Sequence, residues 1–339
     1  MRALRVLAVG VAGAVLSAGL AACGSNTSGP VAGTSGSLGS SAAPATGSTA
    51  AFPRTVEHAM GKAEIPVQPR RVVALDQSFV DAVLTLETDV VGYTTYRAIE
   101  EKLPEYLTPV LGHAAQATSV GTLEQPSLER IVALKPDLIV SAKVRHEALY
   151  EKLSQIAPTV FSETTGALWK DNLTLVGRAL GKEELAATKI KEYGDRAAAI
   201  GESIKARDGE LPTVSVVRFA GEPTVRLYVE NSYSGLVLKD VGFPRPEDQP
   251  TVTDTIIVPI SQENISQLDA DHIFVAAYPD PAVGAVKKKF ESNPLWGKLK
   301  GARHDVDDTV WMSAVGMQGA HALLDDVAEI FKVDPAKAS

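Results

Sequence analysis

Residues 127–140 read SLERIVALKPDLIV, and residues 261–274 read SQENISQLDADHIF. The two stretches match at Ser127/Ser261, Glu129/Glu263, Ile131/Ile265, Leu134/Leu268, Asp137/Asp271 and Ile139/Ile273. Each predicts a helix that begins after an N-cap serine, followed by a buried strand. Each glutamate falls in the first helical turn, where the helix dipole stabilises a carboxylate. Helix stabilisation alone would explain either glutamate, but a matched pair in the two halves of the chain indicates that the fold itself is repeated.

Short apolar segments alternate with helical segments in both halves of the chain. The first half predicts helices at 78–86 and 147–156 and strands at 72–75, 90–93, 138–140 and 159–161. In the second half, segment 241–243 corresponds to the strand at 90–92. Further strands are predicted at 214–217, 272–276 and 309–311, and a final helix at 318–331. This alternation predicts an α/β lobe with a parallel sheet in each half.

A long amphipathic segment separates the two halves. From Lys182 to Ile204, apolar residues recur mostly three or four positions apart, which predicts one helix of roughly 25 residues. At 1.5 Å per residue this helix is about 37 Å long, enough to cross between two lobes. The predicted fold is therefore α/β, with two Rossmann-like lobes with parallel sheets, residues 52–170 and 208–339, joined by one long α-helix within residues 171–207.

The N-terminal segment predicts export and anchoring. Arg2 and Arg5 precede an apolar run that is short for a stable membrane span, and the run ends at LAAC, residues 20–23. LAAC resembles the bacterial lipobox, in which the cysteine is diacylated and becomes the mature N-terminus. We therefore expect a signal peptide at 1–22, then a lipidated Cys23 and a flexible linker over 23–51, with the protein anchored outside the cytoplasm at the cell membrane. The alternative is cleavage elsewhere, which would leave the only cysteine as a free thiol.

Composition and absent motifs argue against several classes of function. A net charge of −8 disfavours nucleic acid as a partner. The sequence has no G-x-S-x-G, G-x-G-x-x-G, Walker or H-E-x-x-H motif, and its histidines do not pair at metal-ligand spacing. We therefore expect a protein that is not an enzyme, with no catalytic residues, no cofactor and no metal bound directly by side chains.

Cationic and aromatic residues concentrate where the predicted strands end. Ligands of open α/β sheets bind beyond the carboxyl ends of the strands, and arginine offers a rigid fork of donors to oxygen-rich anions. The alternatives are that Arg97 and Arg145 are solvated surface charges and that Trp169 and Trp311 belong to the core. The wider set of strand-end positions includes Gln77 and Tyr278. The predicted ligand-binding residues are Tyr96, Arg97, Arg145, Trp169, Arg218, Arg226, Tyr228 and Trp311.

Together these features resemble the ABC-transporter substrate-binding proteins for ferric siderophores and vitamin B12. The resemblance runs from Arg70 to Val333 and is carried by stretches such as RRVVAL at 70–75, PSLERIVALKPDLIVS at 126–141 and ISQENISQLDADHIFV at 260–275. The stretch VRHEALYEKLSQIAPTVFS at 144–162 looks like the iron-siderophore lipoproteins, including those for hydroxamates. The resemblance implies a protein that captures a ferric siderophore, with a hydroxamate as one candidate, and delivers it to an ABC importer.

The resemblance also implies how the partners meet. In that family one surface glutamate of each lobe docks against arginines of a dimeric permease, and Glu129 and Glu263 match those positions. Iron would arrive already chelated, so the Fe(III)-siderophore complex is the ligand of a monomeric binding protein. A cobalamin or haem carrier, a secreted lipoprotein hydrolase and a purely structural lipoprotein are the alternatives.

Overall fold

The computed structural model describes residues 52–96 and 102–337. All of them fall within one unit of the chain, Ser48–Ser339. The predicted signal peptide and linker, with Cys23, lie outside the described residues, and so does Arg97. Among the helices that are described, none combines the length and the apolar character that crossing a membrane requires.

The first lobe is built around a five-stranded parallel sheet. Four of its strands are buried throughout, as expected when helices cover both faces of a sheet, whereas the edge strand β5 has only one buried residue. They are β3 (Val72–Ala74), β4 (Val90–Thr95), β5 (Thr118–Thr122), β6 (Leu138–Ala142) and β7 (Thr159–Ser162), in the order β5-β4-β3-β6-β7, after a hairpin of β1 (Arg54–His58) and β2 (Gly61–Ile65). The helices are α1 (Gln77–Thr85), α2 (Leu128–Leu134), α3 (Lys143–His146) and α4 (Tyr150–Ser154), with 3-10 turns at Glu105–Ala114, Glu147–Leu149 and Gly166–Leu168.

Two consecutive helices, α5 (Trp169–Leu180) and α6 (Glu183–Asp208), connect the lobes. The 26 residues of α6 confirm the predicted long helix. Its buried residues Tyr193, Ala197, Ile200 and Ile204 recur at helical spacing, so one face packs against the core. Gly201 lies against the next helix so closely that an added Cβ would stand 2.0 Å from the carbonyl oxygen of Val241.

The second lobe repeats the plan with a mixed sheet. Its order is β10-β9-β8-β11-β12, formed by β8 (Val214–Phe219), β9 (Val225–Tyr228), β10 (Ile257–Ile260), β11 (His272–Ala277) and β12 (Ala302–Val306). β8, β11 and β12 run parallel, whereas β9 is antiparallel to both of its neighbours. The helices are α7 (Tyr233–Val241), α8 (Pro281–Glu291) and α9 (Met317–Phe331), with 3-10 turns at Gln262–Leu268 and Trp296–Lys298 and a π-helical turn at Thr309–Ser313.

The predicted fold class is confirmed, but the second sheet is mixed rather than parallel throughout, because β9 runs antiparallel to its neighbours. Three local predictions are also wrong. Segment 309–311 is not a strand but part of the π-helical turn; the last strand is β12, whose residues are mostly exposed and carry no apolar run. Segment 241–243 is the end of α7 and the turn after it. The serine of the first repeated stretch caps α2 as predicted, but Ser261 makes no capping bond, and its segment forms a 3-10 turn with non-helical dihedrals at Asn264.

One hydrophobic cluster spans both lobes. It combines buried side chains of α1 and α5 with those of α6, α7 and α9, such as Phe79, Val176, Ile200, Val237 and Leu324. Two smaller clusters lie within single lobes. The lobes are therefore packed against each other through a shared core.

A buried carboxylate reinforces this interface. Asp81 of α1 accepts hydrogen bonds from the backbone N–H groups of Gln318 and Gly319, at 2.9 and 3.1 Å, in the first turn of α9. The N-cap position of α9 is Gly316, which has no side chain to cap the helix, and an added Cβ there would lie 2.4 Å from the Asp81 carboxyl carbon. A residue of the first lobe thus caps a helix of the second. Burial raises the pKa of Asp81 to about 6, although these hydrogen bonds act to lower it.

The raised pKa predicts a pH-dependent stability. The carboxyl of unfolded Asp81 ionises near its ordinary pKa of 3.8, whereas the folded protein holds the proton until about pH 6. The wild type should therefore lose stability relative to Asp81→Asn as pH rises from about 4 to above 6, by up to about 3 kcal/mol, at 1.36 kcal/mol for each pKa unit. Urea unfolding of both proteins at about pH 4, 5, 6 and 7 measures the difference. The control is Asp280→Asn, at the exposed N-cap of α8; a difference between wild type and Asp81→Asn that does not change with pH would contradict the prediction.

Candidate functional site

A cavity of about 470 Å³ lies between the lobes at the carboxyl ends of their strands. This is the position at which open α/β sheets bind ligands. Its lining comes from both lobes: Gln77, Tyr96, Lys102, Leu103, Pro104, Glu105 and Tyr106 from the first, and Tyr278, Pro279, Asp307, Asp308, Thr309, Val310 and Ser313 from the second. A cavity of about 330 Å³ at the amino end of β7 is lined by the first lobe alone.

An arginine of the first lobe, Arg145, is bonded to the residue that precedes the cavity residue Gln77, although Arg145 itself does not line the cavity. Asp76 caps α1 immediately after β3 and accepts bonds from the backbone and hydroxyl of Ser78, at 2.9 and 2.6 Å. Its second carboxylate oxygen accepts a bond of 3.0 Å from Nε of Arg145, in α3. Among the described residues, Asp76 is the only partner of this guanidinium, whose side chain is 36% exposed. Asp76 therefore orients Arg145 and leaves its two terminal nitrogens without a partner among the described residues.

The second lobe holds a buried counterpart. Arg218, near the end of β8, donates from Nε and Nη2 to the two oxygens of Asp308, at 2.6 and 2.7 Å. A further bond of 3.1 Å joins Nη1 to the hydroxyl of Tyr228. Burial alone would lower the pKa of Arg218, but the bonds to Asp308 and Tyr228 outweigh it and raise the pKa. With both side chains only 4% exposed, this ion pair is a fixed part of the cavity wall to which Asp308 belongs.

A third ion pair stands next to the second. Arg226 on β9 pairs in register with Arg218 on β8, so the two side chains lie on one face of the sheet. Arg226 donates to the carboxylate of Glu222, and this bond lowers the pKa of Glu222. The other oxygen of Glu222 is buried without a partner among the described residues. Each described arginine of the predicted site is thus matched with a carboxylate, and the wall of the cleft is less cationic than the sequence predicted.

The predicted aromatic residues divide between the cavity and the core. Tyr96 lines the cavity, and Tyr228 supports Arg218. Trp311 has 0% of its surface exposed, packs on Phe274, and donates its indole N–H to Asp326 at 2.7 Å. Trp169 packs edge-on against Tyr193 and Tyr233 in the shared core, with ring centroids 5.0 and 5.8 Å away. The structure therefore places Trp169 and Trp311 in the core, which was the alternative to a ligand-binding role.

Several cavity residues do not follow a strand, and the sequence analysis missed them. Lys102 and Tyr106 lie between β4 and β5, and Thr309, Val310 and Ser313 lie in the π-helical turn. Gln77 and Tyr278 belonged to the wider strand-end set. The oxygens of Tyr106 and of the Gln77 side chain are buried without hydrogen-bond partners among the described residues. No strand-end rule marks residues 102–106, because residues 102–104 lie outside any helix or strand, and Glu105 and Tyr106 begin a 3-10 segment.

The repeated glutamates lie on the surface rather than in the cavity. Glu129 and Glu263 are both exposed. Ser127 donates its hydroxyl hydrogen to Glu129 at 3.0 Å. The backbone and hydroxyl hydrogen bonds around each carboxylate lower the pKa of both glutamates, with the Ser261 hydroxyl the largest cause at Glu263. Each lobe thus presents an ionised, oriented carboxylate to solvent.

Two α/β lobes with a cavity between them at their strand ends are the arrangement found in substrate-binding proteins. Residues 72–305 match the family model described as periplasmic binding protein, and the chain belongs to this family. It is 36% identical over 293 residues to the probable siderophore-binding lipoprotein YfiY of Bacillus subtilis, covering 82% of this chain and 87% of the relative. It is 28% identical to the Fe(3+) dicitrate-binding periplasmic protein FecB of Escherichia coli, covering 84% and 92%. The structure of Staphylococcus aureus SirA complexed with staphyloferrin B aligns with a TM-score of 0.75 at 35% identity, covering 83% and 99%.

These comparisons confirm the resemblance that the sequence motifs indicated. Together with the two five-stranded sheets and α6, they also confirm the fold class. Among the described residues, no group of three or more potential side-chain ligands could hold a metal ion.

Proposed function

We propose that this chain captures a ferric chelate in the cavity between its lobes and delivers it to an ABC importer. The observation that carries the proposal is the cavity of about 470 Å³ at the strand ends of both lobes, with tyrosines in its lining. The guanidinium of Arg145, which is oriented by the residue next to Gln77, supports it. Iron is cargo in this scheme, because the chelator supplies the metal ligands. Membership of a family of binding proteins supports binding rather than catalysis.

The relatives support a carboxylate chelate as the ligand. FecB is named for Fe(3+) dicitrate, and YfmC of Bacillus subtilis, 29% identical, is named for Fe(3+)-citrate. The terminal nitrogens of Arg145 suit such a ligand, because a guanidinium can donate two parallel bonds to one carboxylate. A hydroxamate, haem or cobalamin ligand is an outcome of the test below.

The ion pairs of the cleft divide the arginines into two roles. Arg145 is partly exposed and tied only by Nε, so it can contact the chelate directly. Arg218 is buried and makes three hydrogen bonds, so it holds the wall residue Asp308 in place. Arg226 and Tyr228 support that wall. We propose Arg97, next to Tyr96 in the sequence, as a further ligand contact.

We expect Arg145→Ala to weaken binding of ferric citrate about tenfold to a hundredfold. Its loss of stability should be smaller than that of Arg218→Ala, because Asp76 keeps its two hydrogen bonds from Ser78. Hydrogen bonds from a charged donor contribute about 1.5–3 kcal/mol, and 1.4 kcal/mol is a factor of ten. Arg218→Ala should instead lower the free energy of unfolding by about 3–5 kcal/mol, because it leaves a buried carboxylate unpaired. Tryptophan-fluorescence titration and urea unfolding measure the two effects.

The control is Arg207→Ala, which removes an exposed arginine paired with Asp208 at the end of α6. The titration includes iron-free citrate, a ferric hydroxamate, haem and cobalamin. Wild-type affinity in Arg145→Ala would remove this residue from the site. Binding of haem or cobalamin, with no ferric chelate bound, would show that the proposed ligand class is wrong.

We further propose that Glu129 and Glu263 dock the loaded protein onto a permease dimer, one glutamate for each subunit. Their exposure, ionisation and place in the repeated motif support this role. The double variant Glu129→Arg with Glu263→Arg should abolish uptake of radiolabelled ferric citrate by cells while the affinity of the purified protein stays near that of wild type. Glu202→Arg with Glu210→Arg makes the same charge change at other exposed positions of the chain and should leave uptake intact. A large loss of affinity in the folded Glu129/Glu263 variant would place these residues in the ligand site instead.

Anchoring at the membrane is proposed from the sequence. Residues 1–22 would be removed and Cys23 lipidated, so that linker 23–51 tethers a monomer with lobes at 52–170 and 208–339 joined through 171–207. Cys23→Ala should release the protein into the medium or leave it as a precursor, as judged by mass spectrometry and detergent partitioning. Ser25→Ala, two residues further along, is the control. Normal processing and detergent partitioning of Cys23→Ala would contradict the anchor.

A further inference from the structure

The second-lobe wall of the cavity runs directly into a helix. Asp308, Thr309 and Ser313 line the cavity, and the π-helical turn that carries the latter two ends at Ser313. Only residues 314–316 separate this turn from the start of α9 at Met317. Any movement of the first turn of α9 is therefore transmitted within a few residues to the cavity wall.

The first turn of α9 is held mainly by the opposite lobe. The bonds from Gln318 and Gly319 to Asp81 are accompanied by a bond of 3.0 Å from the Gln318 side chain to Thr85, whose hydroxyl donates to Asp81 at 3.1 Å. Within the second lobe, Tyr233 donates to the carbonyl oxygen of Gly316 at 2.8 Å. Asp81 and Thr85 lie on successive turns of α1, so this helix presents one continuous polar contact to α9.

The same helix supplies the facing wall of the cavity. Gln77 is the first residue of α1 and lines the cavity, and Asp81 follows one turn later. The nine-residue helix α1 therefore carries both Gln77, which lines the first-lobe wall of the cavity, and Asp81, which caps the helix that follows the second-lobe wall.

We propose that Asp81 is a positioning residue for the cleft: by capping α9 across the lobe interface, it sets the place of the wall segment 307–313 relative to Gln77 and thereby the affinity for the chelate. The inference rests on the proposed function for its ligand, but the position of the wall can be measured without ligand. Asp81 is fully buried in the structure and is not among the residues that line the cavity. Its effect on binding is therefore indirect.

The test compares Asp81→Ala, Asp81→Asn and the control Asp137→Ala. Asparagine is as good an N-cap acceptor as aspartate, whereas alanine leaves the N–H groups of α9 uncapped. Asp137 is a matched control because its carboxylate also accepts two backbone N–H bonds, from Arg70 and Arg71 at 2.8 Å each, but within the first lobe at the opposite ends of the strands. Hydrogen exchange by mass spectrometry follows peptides covering 307–313 and 314–320, and titration with ferric citrate follows affinity, both well below the melting temperature.

We expect Asp81→Ala to exchange faster in both peptides and to bind ferric citrate about tenfold more weakly, the size of effect that residues coupled to a site without touching its ligand can have. Asp81→Asn should stay within about threefold of wild type, and Asp137→Ala should match wild type in exchange and affinity. If Asp81→Ala does not fold, Gln318→Ala removes only the side-chain bond to Thr85 and should show the same changes in smaller degree.

Unchanged exchange of 307–313 in Asp81→Ala would overturn the proposal, because the wall would then not depend on the cap. Faster exchange with unchanged affinity would also overturn it, since the wall would then not set binding. If wild type binds no ferric chelate while exchange of 307–313 still rises in Asp81→Ala, the proposed ligand is wrong but the positioning of the wall by Asp81 stands.

Discussion

The shared core between the lobes is the constraint on which the rest of this structure depends. Side chains of α1 and α5 pack with those of α6, α7 and α9 in one cluster, and α6 lies so close to α7 that only glycine fits at residue 201. Opening the cleft widely would return part of this apolar surface to water, at a cost of about 25 cal/mol for each Å². Wide opening of the cleft is therefore disfavoured.

The charges of the cleft are organised by pairing within the protein. Asp76 orients Arg145. Arg218 is held between the carboxylate of Asp308 and the phenol of Tyr228. A cleft lined with unpaired cations would attract any anion, whereas paired arginines offer only their remaining N–H groups in fixed directions. Discrimination among ligands would then rest on the geometry of donors more than on net charge, and the cost of orienting those donors is met during folding.

The repeated motif, the alternation of short apolar segments with helices and the long amphipathic segment together predicted the two lobes. Buried strands and a long amphipathic helix can be predicted because their local sequence patterns are strong. Prediction from these patterns fails where tertiary contacts determine the local structure. Ser127 caps α2, but the matching Ser261 caps nothing, since its segment kinks at Asn264. Trp311 follows an apolar residue, as a strand-end residue would, yet it lies in a π-helical turn and points into the core. The cavity residues 102–106 come from an irregular stretch and the start of the 3-10 segment Glu105–Ala114, which no strand pattern marks. Position in the sequence located the cleft but not every side chain that lines it.

The cap on α9 has a consequence for how the chain reaches its native state. Asp81 and Gln318 are 237 positions apart, so the first turn of the final helix has no capping carboxylate until the earliest helix is in place. During synthesis from the N-terminus, the carboxylate of α1 and the apolar face that packs on α9 have no partner until nearly the last residues of the chain are made. The two lobes should therefore fold and unfold as one cooperative unit. A fragment that ends after the first sheet would expose the apolar residues of the shared core and should not fold stably on its own.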